Sequence, residues 1–258
     1  MLIAIDSGNT NVVFSIHDGD RSRGVWRCSN NPRRTADEYL VWLKQLVELE
    51  GIALKDIDAA IIASVVPEAL YHLVSLCHRY FHCEPLVIGE SDLDLGCEVL
   101  IDRPEQVGAD RLVNAVAAHD RYGKPLIVVD FGTATTFDVV DGDGNYRGGV
   151  IAPGINLSLE ALYMAASKLP RVEIRPTEKV IGKATVPAMQ SGIFWGYVGL
   201  IESLVERIRA EWGDAGMPVV ATGGLAPMFA EATAVIDHID RDLTIHGLVL
   251  IHRRNAKP

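Results

Sequence analysis

The chain has 258 residues, 48% of them hydrophobic and 22% charged, enough for one large domain or two of about 130 residues. That balance excludes a disordered, collagen-like or disulfide-stapled miniprotein. Twenty-four Lys and Arg against 34 Asp and Glu give a formal charge of −10, so most of the surface would repel a nucleic-acid backbone, and no nucleic-acid partner is expected.

The cysteines Cys28, Cys77, Cys83 and Cys97 lie apart in sequence, with no C-x-x-C and no paired histidine spacing. Neither a zinc site nor a redox pair is indicated, and they read as the reduced thiols of a cytoplasmic protein. The eight histidines likewise show no metal-ligand spacing. After Met1 the chain enters Leu2-Ile3-Ala4-Ile5-Asp6 with no basic leader. Its apolar runs fall short of the ~20 residues that span a bilayer, so the expectation is a soluble, unexported chain with no membrane partner.

In chain order, Leu2 to Ile5 and Asn11 to Ile16 read as strands joined by the small polar turn Asp6-Ser7-Gly8-Asn9-Thr10. Asp18-Gly19-Asp20 turns toward a third strand near Gly24 to Arg27. Thr35 with Glu38 predicts a capping box for a helix whose inner face carries Tyr39, Leu40, Leu43, Leu46 and Val47. Ile57 to Val66 reads as a buried strand, Pro67 as a helix start and Pro85 to Ile88 as a short strand.

The plan then restarts. Leu126-Ile127-Val128-Val129-Asp130-Phe131-Gly132 repeats Leu2 to Gly8 at an offset of 124 residues with Leu, Ile, Asp and Gly identical. Asp141-Gly142-Asp143 answers Asp18-Gly19-Asp20, and Arg147-Gly148-Gly149-Val150 answers Arg23-Gly24-Val25. The order of matches indicates an internal duplication. A helix from about Pro187 to Trp212 carries an apolar stripe of Ile193, Tyr197, Leu200, Leu204 and Ile208. Its second stripe, Gly192, Gly196 and Gly199, costs helix stability, which predicts close packing by another backbone, within the fold or across a dimer interface. The tail Arg253-Arg254-Asn255-Ala256-Lys257 is either an anion patch or a solvated chain end, and the behaviour of termini favours the second.

A tight turn between strands exposes consecutive backbone N–H groups, and a glycine lets a phosphate reach them. Asp6 to Asn11 offers that geometry once and Asp130-Phe131-Gly132-Thr133-Ala134-Thr135 a second time. One such turn is explained by conformational preference alone; two in duplicated halves fit a clamp on nucleotide phosphates. The P-loop, dinucleotide and protein-kinase signatures are all missing. Gly108-Ala109-Asp110-Arg111 reads as a loop entering a helix, so Asp110 is either a simple cap or a general base for a substrate hydroxyl, with Arg111 as an anion ligand. Thr222-Gly223-Gly224-Leu225 is either a helix-entry turn or a place for an adenine ring, and Gly148 to Gly154 is a permissive segment that can shape a pocket floor.

These segments together resemble the type III pantothenate kinase family, a branch of the actin-like, acetate-kinase and sugar-kinase superfold. The D-x-G turns mark the superfold; Gly108-Ala109-Asp110-Arg111 with Gly148-Gly149-Val150-Ile151-Ala152-Pro153-Gly154 marks the family, and Ile181-Gly182-Lys183-Ala184-Thr185 and Gln190-Ser191-Gly192-Ile193 extend the likeness. The resemblance implies an α/β, duplicated actin-like (RNase H-like) fold with two mixed-sheet domains, residues 1–115 and 116–258, and a cleft between them. It implies ATP-dependent phosphorylation of pantothenate to 4′-phosphopantothenate, the first step toward coenzyme A. By position, Asp6, Ser7, Gly8, Asn9, Thr10, Asn11, Val12 and Val13 would serve ATP, with Asp6 near its magnesium. Thr133 would meet a phosphate, and Asp130 would ligate a monovalent cation, potassium or ammonium. Gly108, Ala109, Asp110, Arg111 and Thr185 would bind pantothenate, with Asp110 as base and Arg111 on the carboxylate. A homodimer with its active site near the interface is also implied. Ile101 stands where many relatives carry a substrate-touching tyrosine, which removes one expected hydroxyl contact. A kinase for another small alcohol, or a non-catalytic nucleotide-sensing or transcription-accessory protein, are the competing readings; keeping Asp6, Asp110, Arg111, Asp130 and Thr133 together favours the enzyme.

Overall fold

In the computed structural model, residues 1–90, 93–165 and 169–256 are described. The chain forms two compact units, Met1–Arg121 with Asp242–Pro258, and Tyr122–Arg241.

The first unit is a five-stranded sheet of order β3-β2-β1-β4-β5, built from β1 (Leu2–Ser7), β2 (Asn11–Asp18), β3 (Arg21–Ser29), β4 (Ala59–Ser64) and β5 (Pro85–Val87). The central strand β1 runs antiparallel to β2 and parallel to β4. Alternation along these strands gives the sheet two apolar faces. Ile3, Ile5, Phe14 and Ile62 pack with Tyr39, Leu43 and Val47 of helix α1 (Ala36–Leu49) and with Leu73 and Leu76 of α2 (Pro67–Leu76). The capping box at Thr35 forms as predicted, with the Thr35 N–H donating to Glu38 at 2.8 Å.

Leu2, Ala4, Ile61 and Ala63 on the opposite face pack with Val113 and Val116 of α3 (Ala109–Tyr122) and with Ile245, Leu248 and Ile251 of α7, the final helix (Leu243–Asn255). Grouping α7 with the first sheet departs from the expected division into 1–115 and 116–258. Its apolar stripe covers β1 and β4, and Gly247 lets its backbone approach α3 so closely that a Cβ there would sit 2.3 Å from the Val113 carbonyl oxygen. The basic tail is solvent-exposed at Arg253, Arg254 and Ala256, as a chain end is, but helical through Asn255, where Arg253 pairs with Asp20 and donates to the Gly19 carbonyl at 3.1 Å. Lys257 lies outside the described residues.

The second unit repeats the plan. Its sheet, of order β10-β9-β6-β7-β8, contains β6 (Leu126–Phe131), β7 (Ala134–Val140), β8 (Tyr146–Pro153), β9 (Val219–Gly223) and β10 (His238–Ile239). Read in reverse it is the first sheet, with β6 antiparallel to β7 and parallel to β9. The duplication inferred from the matched strands and turns therefore extends to five strands. Helix α4 (Ile155–Ala165) follows β8, and the long α5 (Thr185–Trp212) lays Phe194, Val198, Ile201 and Val205 on Ile127, Val129 and Phe137. The short α6 (Ala226–Ala230) adds Phe229, stacked on Phe131 at 5.0 Å.

Candidate active site

In the first unit Asp6 is the penultimate residue of β1, half-buried between fully buried Ile5 and Ser7. The chain then reverses through Gly8, Asn9 and Thr10, with the Gly8 N–H donating to the Asn11 carbonyl at 3.0 Å. Asn9, Thr10 and Asn11 are exposed, while Val12 and Val13 are buried in the sheet, so only backbone atoms of those two valines are suited to a ligand.

The residue that fastens this turn was not legible in the sequence. Asn30, just past β3, donates from Nδ2 to the Gly8 carbonyl at 2.6 Å and to Ser7 Oγ at 3.4 Å, and its N–H donates to the Thr10 carbonyl at 2.8 Å. Both ends of the turn are thus tied to one residue twenty or more positions away, by its side chain at Gly8 and its backbone at Thr10, and an isolated asparagine after a strand carries no signal of such a role.

The Gly108-Ala109-Asp110-Arg111 segment begins α3, where the Gly108 carbonyl accepts from the Arg111 and Leu112 N–H groups at 3.1 and 3.3 Å. The Arg111 N–H also donates to Asp110 Oδ1 at 2.9 Å. Asp110, the second residue of α3, thus bonds an N–H of the first turn, and burial pushes its carboxyl above the usual carboxylate range, with the Arg111 N–H and guanidinium pulling the other way. A raised carboxyl is better matched to taking a proton near neutral pH. Gly108 leaves the room this needs, since a Cβ there would lie 2.6 Å from Asp110 Oδ1. Ile101 is half-buried in the loop that leads to this segment.

In the second unit Asp130 occupies in β6 the place that Asp6 holds in β1, and the two strands share one burial pattern. Gly132 and Thr133 form the exposed turn, closed by the Gly132 N–H donating to the Ala134 carbonyl at 3.1 Å. Gly148 to Pro153 lies in the strand β8, paired with β7. At its end Gly154 donates to the Thr133 carbonyl at 3.1 Å, and a Cβ on Gly154 would sit 2.3 Å from that oxygen and 2.8 Å from the Gly132 oxygen. The segment shapes the turn by backbone contact.

Tyr197, legible only as part of an apolar helical stripe, supports the turn from α5. Its hydroxyl meets Thr135 Oγ1 and donates to the Pro153 carbonyl at 3.2 Å. Gly223, at φ +89°, brings the end of β9 against Asp130, where a Cβ would lie 2.8 Å from Oδ1; the chain then enters α6, as a helix-entry turn does.

Thr185 opens α5 in an exposed stretch, and Ser191, Gln190 and Trp195 of that helix hold the preceding loop at Val180, Glu173 and Thr177. Gly192, Gly196 and Gly199 have no heavy atom beyond their own helix within 4 Å of where a Cβ would stand. Packing of this stripe within the chain is therefore excluded among the described residues. These residues contain no cluster of three or more His, Cys, Asp or Glu suited to a metal ion, and no helix long and apolar enough to cross a membrane.

Two sheets of the same order, each with an aspartate and a glycine turn at the end of its central strand, define a duplicated fold of the actin-like class. Solved structures agree on the fold: an inorganic polyphosphate/ATP-glucomannokinase from Arthrobacter superposes with a TM-score of 0.53 at 15% identity over 99% of both chains. The ethanolamine utilization protein EutJ from Carboxydothermus hydrogenoformans gives 0.55 at 18% identity, over 96% of this chain and 89% of the other. The sequence is more specific. The type III pantothenate kinase family model matches residues 2–207. The type III pantothenate kinase of Paramagnetospirillum magneticum is 68% identical over 100% of this chain and 99% of its own, and that of Rhodospirillum rubrum 66% identical over 99% of each. The chain belongs to the type III pantothenate kinase family.

Proposed function

We infer that the protein is a pantothenate kinase, transferring the γ-phosphoryl group of ATP to the primary hydroxyl of pantothenate in the first step of coenzyme A biosynthesis. Asp110 carries the reading: a carboxyl with a raised pKa, fixed by the Arg111 N–H and bordered by a residue without a side chain. In this reading Asp110 accepts the hydroxyl proton as the oxygen attacks phosphorus and ADP departs, while Arg111 takes the pantothenate carboxylate. Gly108, Ala109 and Thr185 complete the substrate contacts.

Asp6 to Val13, together with Thr133, serve the ATP phosphates. Both turns carry carboxylate and hydroxyl oxygens, the first with amide oxygens besides, and such hard donors suit magnesium near Asp6 and potassium or ammonium at Asp130. Magnesium bound with ATP neutralises phosphate charge, and the turns orient it. The protein acts in the cytoplasm as a homodimer, a reading supported by the open glycine stripe of α5 and by exposed Ile151, Leu157, Ile181 and Val186 in the same unit.

The test is ADP release by the purified protein with ATP and pantothenate, with and without potassium, beside other small alcohols and a blank without acceptor. Potassium-stimulated release that requires pantothenate is expected; release with a different alcohol alone would overturn the substrate. Asp130→Ala should lose the potassium stimulation, and an unchanged potassium response would place the cation elsewhere.

A further inference from the structure

Although the cysteines are scattered in sequence, two of them meet. Helix α2 runs into a π-helical turn, Cys77–Phe81, which stops at His82 in the left-handed conformation, φ 54° and ψ 33°. His82 is the one non-glycine residue with positive φ among those described. The wide turn and the reversal fold the chain back, so that the His82 and Cys83 N–H groups both reach the Cys77 carbonyl, the latter at 3.4 Å. Summing the bonds across that contact limits the two Cα atoms to roughly 7 Å, near the reach of a disulfide. The side chains are hydrogen-bonded to each other. Cys77 is fully buried against α1 and β1, whereas Cys83 is half-exposed, with Asp58, His78 and Glu84 around it.

We propose that Cys77 and Cys83 form an oxidation site, in which a hydroperoxide oxidises Cys83 and Cys77 then closes an intramolecular disulfide. The thiol hydrogen bond sets the order. Cys77 as donor holds the Cys83 thiol below its ordinary value, while the same bond and burial push Cys77 up. The Cys83 thiolate is the better nucleophile and the exposed one. It attacks one peroxide oxygen, the O–O bond breaks, and the leaving oxygen takes a proton to depart as an alcohol or water, leaving Cys83 as a sulfenic acid. The Cys77 sulfur then attacks the Cys83 sulfur and expels the hydroxyl, which leaves as water with the Cys77 proton. Two thiols are oxidised and one peroxide is reduced. Asp58, one of the groups around Cys83, pairs with the Met1 amino group at 2.7 Å and so marks the start of β1, the end opposite Asp6. The site is thus separate from the phosphate turn.

Trypsin cleaves at Arg79 between the two cysteines and leaves them on different peptides, and fragmentation of the linked pair by tandem mass spectrometry locates the bond, because Cys83 shares its tryptic peptide with Cys97. The reduced full-length protein is treated with a few equivalents of hydrogen peroxide, alkylated and digested without reductant. The expected main product is the Cys77–Cys83 cross-linked peptide pair, abolished by dithiothreitol. In Cys77→Ser the cross-link is lost and dimedone traps a sulfenic acid on Cys83; in Cys83→Ser, Cys77 stays alkylatable. Overoxidised Cys83 without the cross-link in the parent protein, or disulfides only to Cys28 or Cys97, would overturn the proposal, as would unchanged oxidation of Cys77 in Cys83→Ser. The parent digest decides the matter even if a variant fails to fold.

Discussion

Replacing Gly154 with alanine tests whether the second turn depends on β8. The new methyl would lie 2.3 Å from the Thr133 carbonyl oxygen and 2.8 Å from that of Gly132, against an ordinary C···O approach of about 3.3 Å. Both obstacles are backbone, so no side-chain rotation relieves them, and the turn must retreat by about 1 Å. In the proposed phosphate-positioning role of this turn, a displacement of that size costs about 10²-fold in rate, or about 2.7 kcal/mol of transition-state stabilisation. Overpacking of this kind also costs about 1–3 kcal/mol of stability, a fall of several degrees in melting temperature. The assay is ADP release with ATP and pantothenate each varied, with circular dichroism to confirm that the fold persists. A value of kcat/KM within twofold of the parent, at unchanged melting temperature, would refute the reasoning.

Asp110→Asn should lower turnover by about 10²–10⁴-fold while ATP binding, followed by titration calorimetry, persists; near-normal turnover would remove Asp110 from the role of base. Because burial raises the Asp110 carboxyl, the folded state binds its proton more tightly than the unfolded chain. Stability therefore falls as pH rises from the ordinary carboxylate range through the raised value, and Asp110→Asn should melt higher than the parent at neutral pH. The same shift places the acid limb of kcat/KM above the ordinary carboxylate range, and activity should rise with pH through it. Asn30→Ala removes the 2.6 Å bond to the Gly8 carbonyl, worth about 1–1.5 kcal/mol, so KM for ATP should rise about tenfold with a smaller change for pantothenate; equal changes for both would mean a general loss of fold. Gly196→Ala and Gly199→Ala should each stabilise an isolated helix by up to about 1 kcal/mol. If the stripe meets a second copy, the same changes should instead weaken the dimer in sedimentation, and a dimer left unchanged would assign its interface elsewhere.

Local chemistry made much of the fold legible in the sequence. Short apolar runs of strand length followed by Asp and Gly predict strand and turn for β1, β2, β6 and β7, and the Thr35 and Glu38 pair predicts the start of α1, because each signal lies within a few residues. Repetition of that local plan also announced the second sheet. Tertiary structure alone decided the rest. Nothing in Leu243–Asn255 says that it covers the sheet begun by Leu2 until Gly247 is seen against Val113. Asn30 acts on Gly8, Tyr197 on Thr135 and Gly154 on Thr133, and Cys83 reaches Cys77 only through a π-helical turn and a left-handed histidine. Side-chain patterning reports the period of one element and the face it buries. Which distant backbone that face meets, and how closely, is set by the packing of the whole chain.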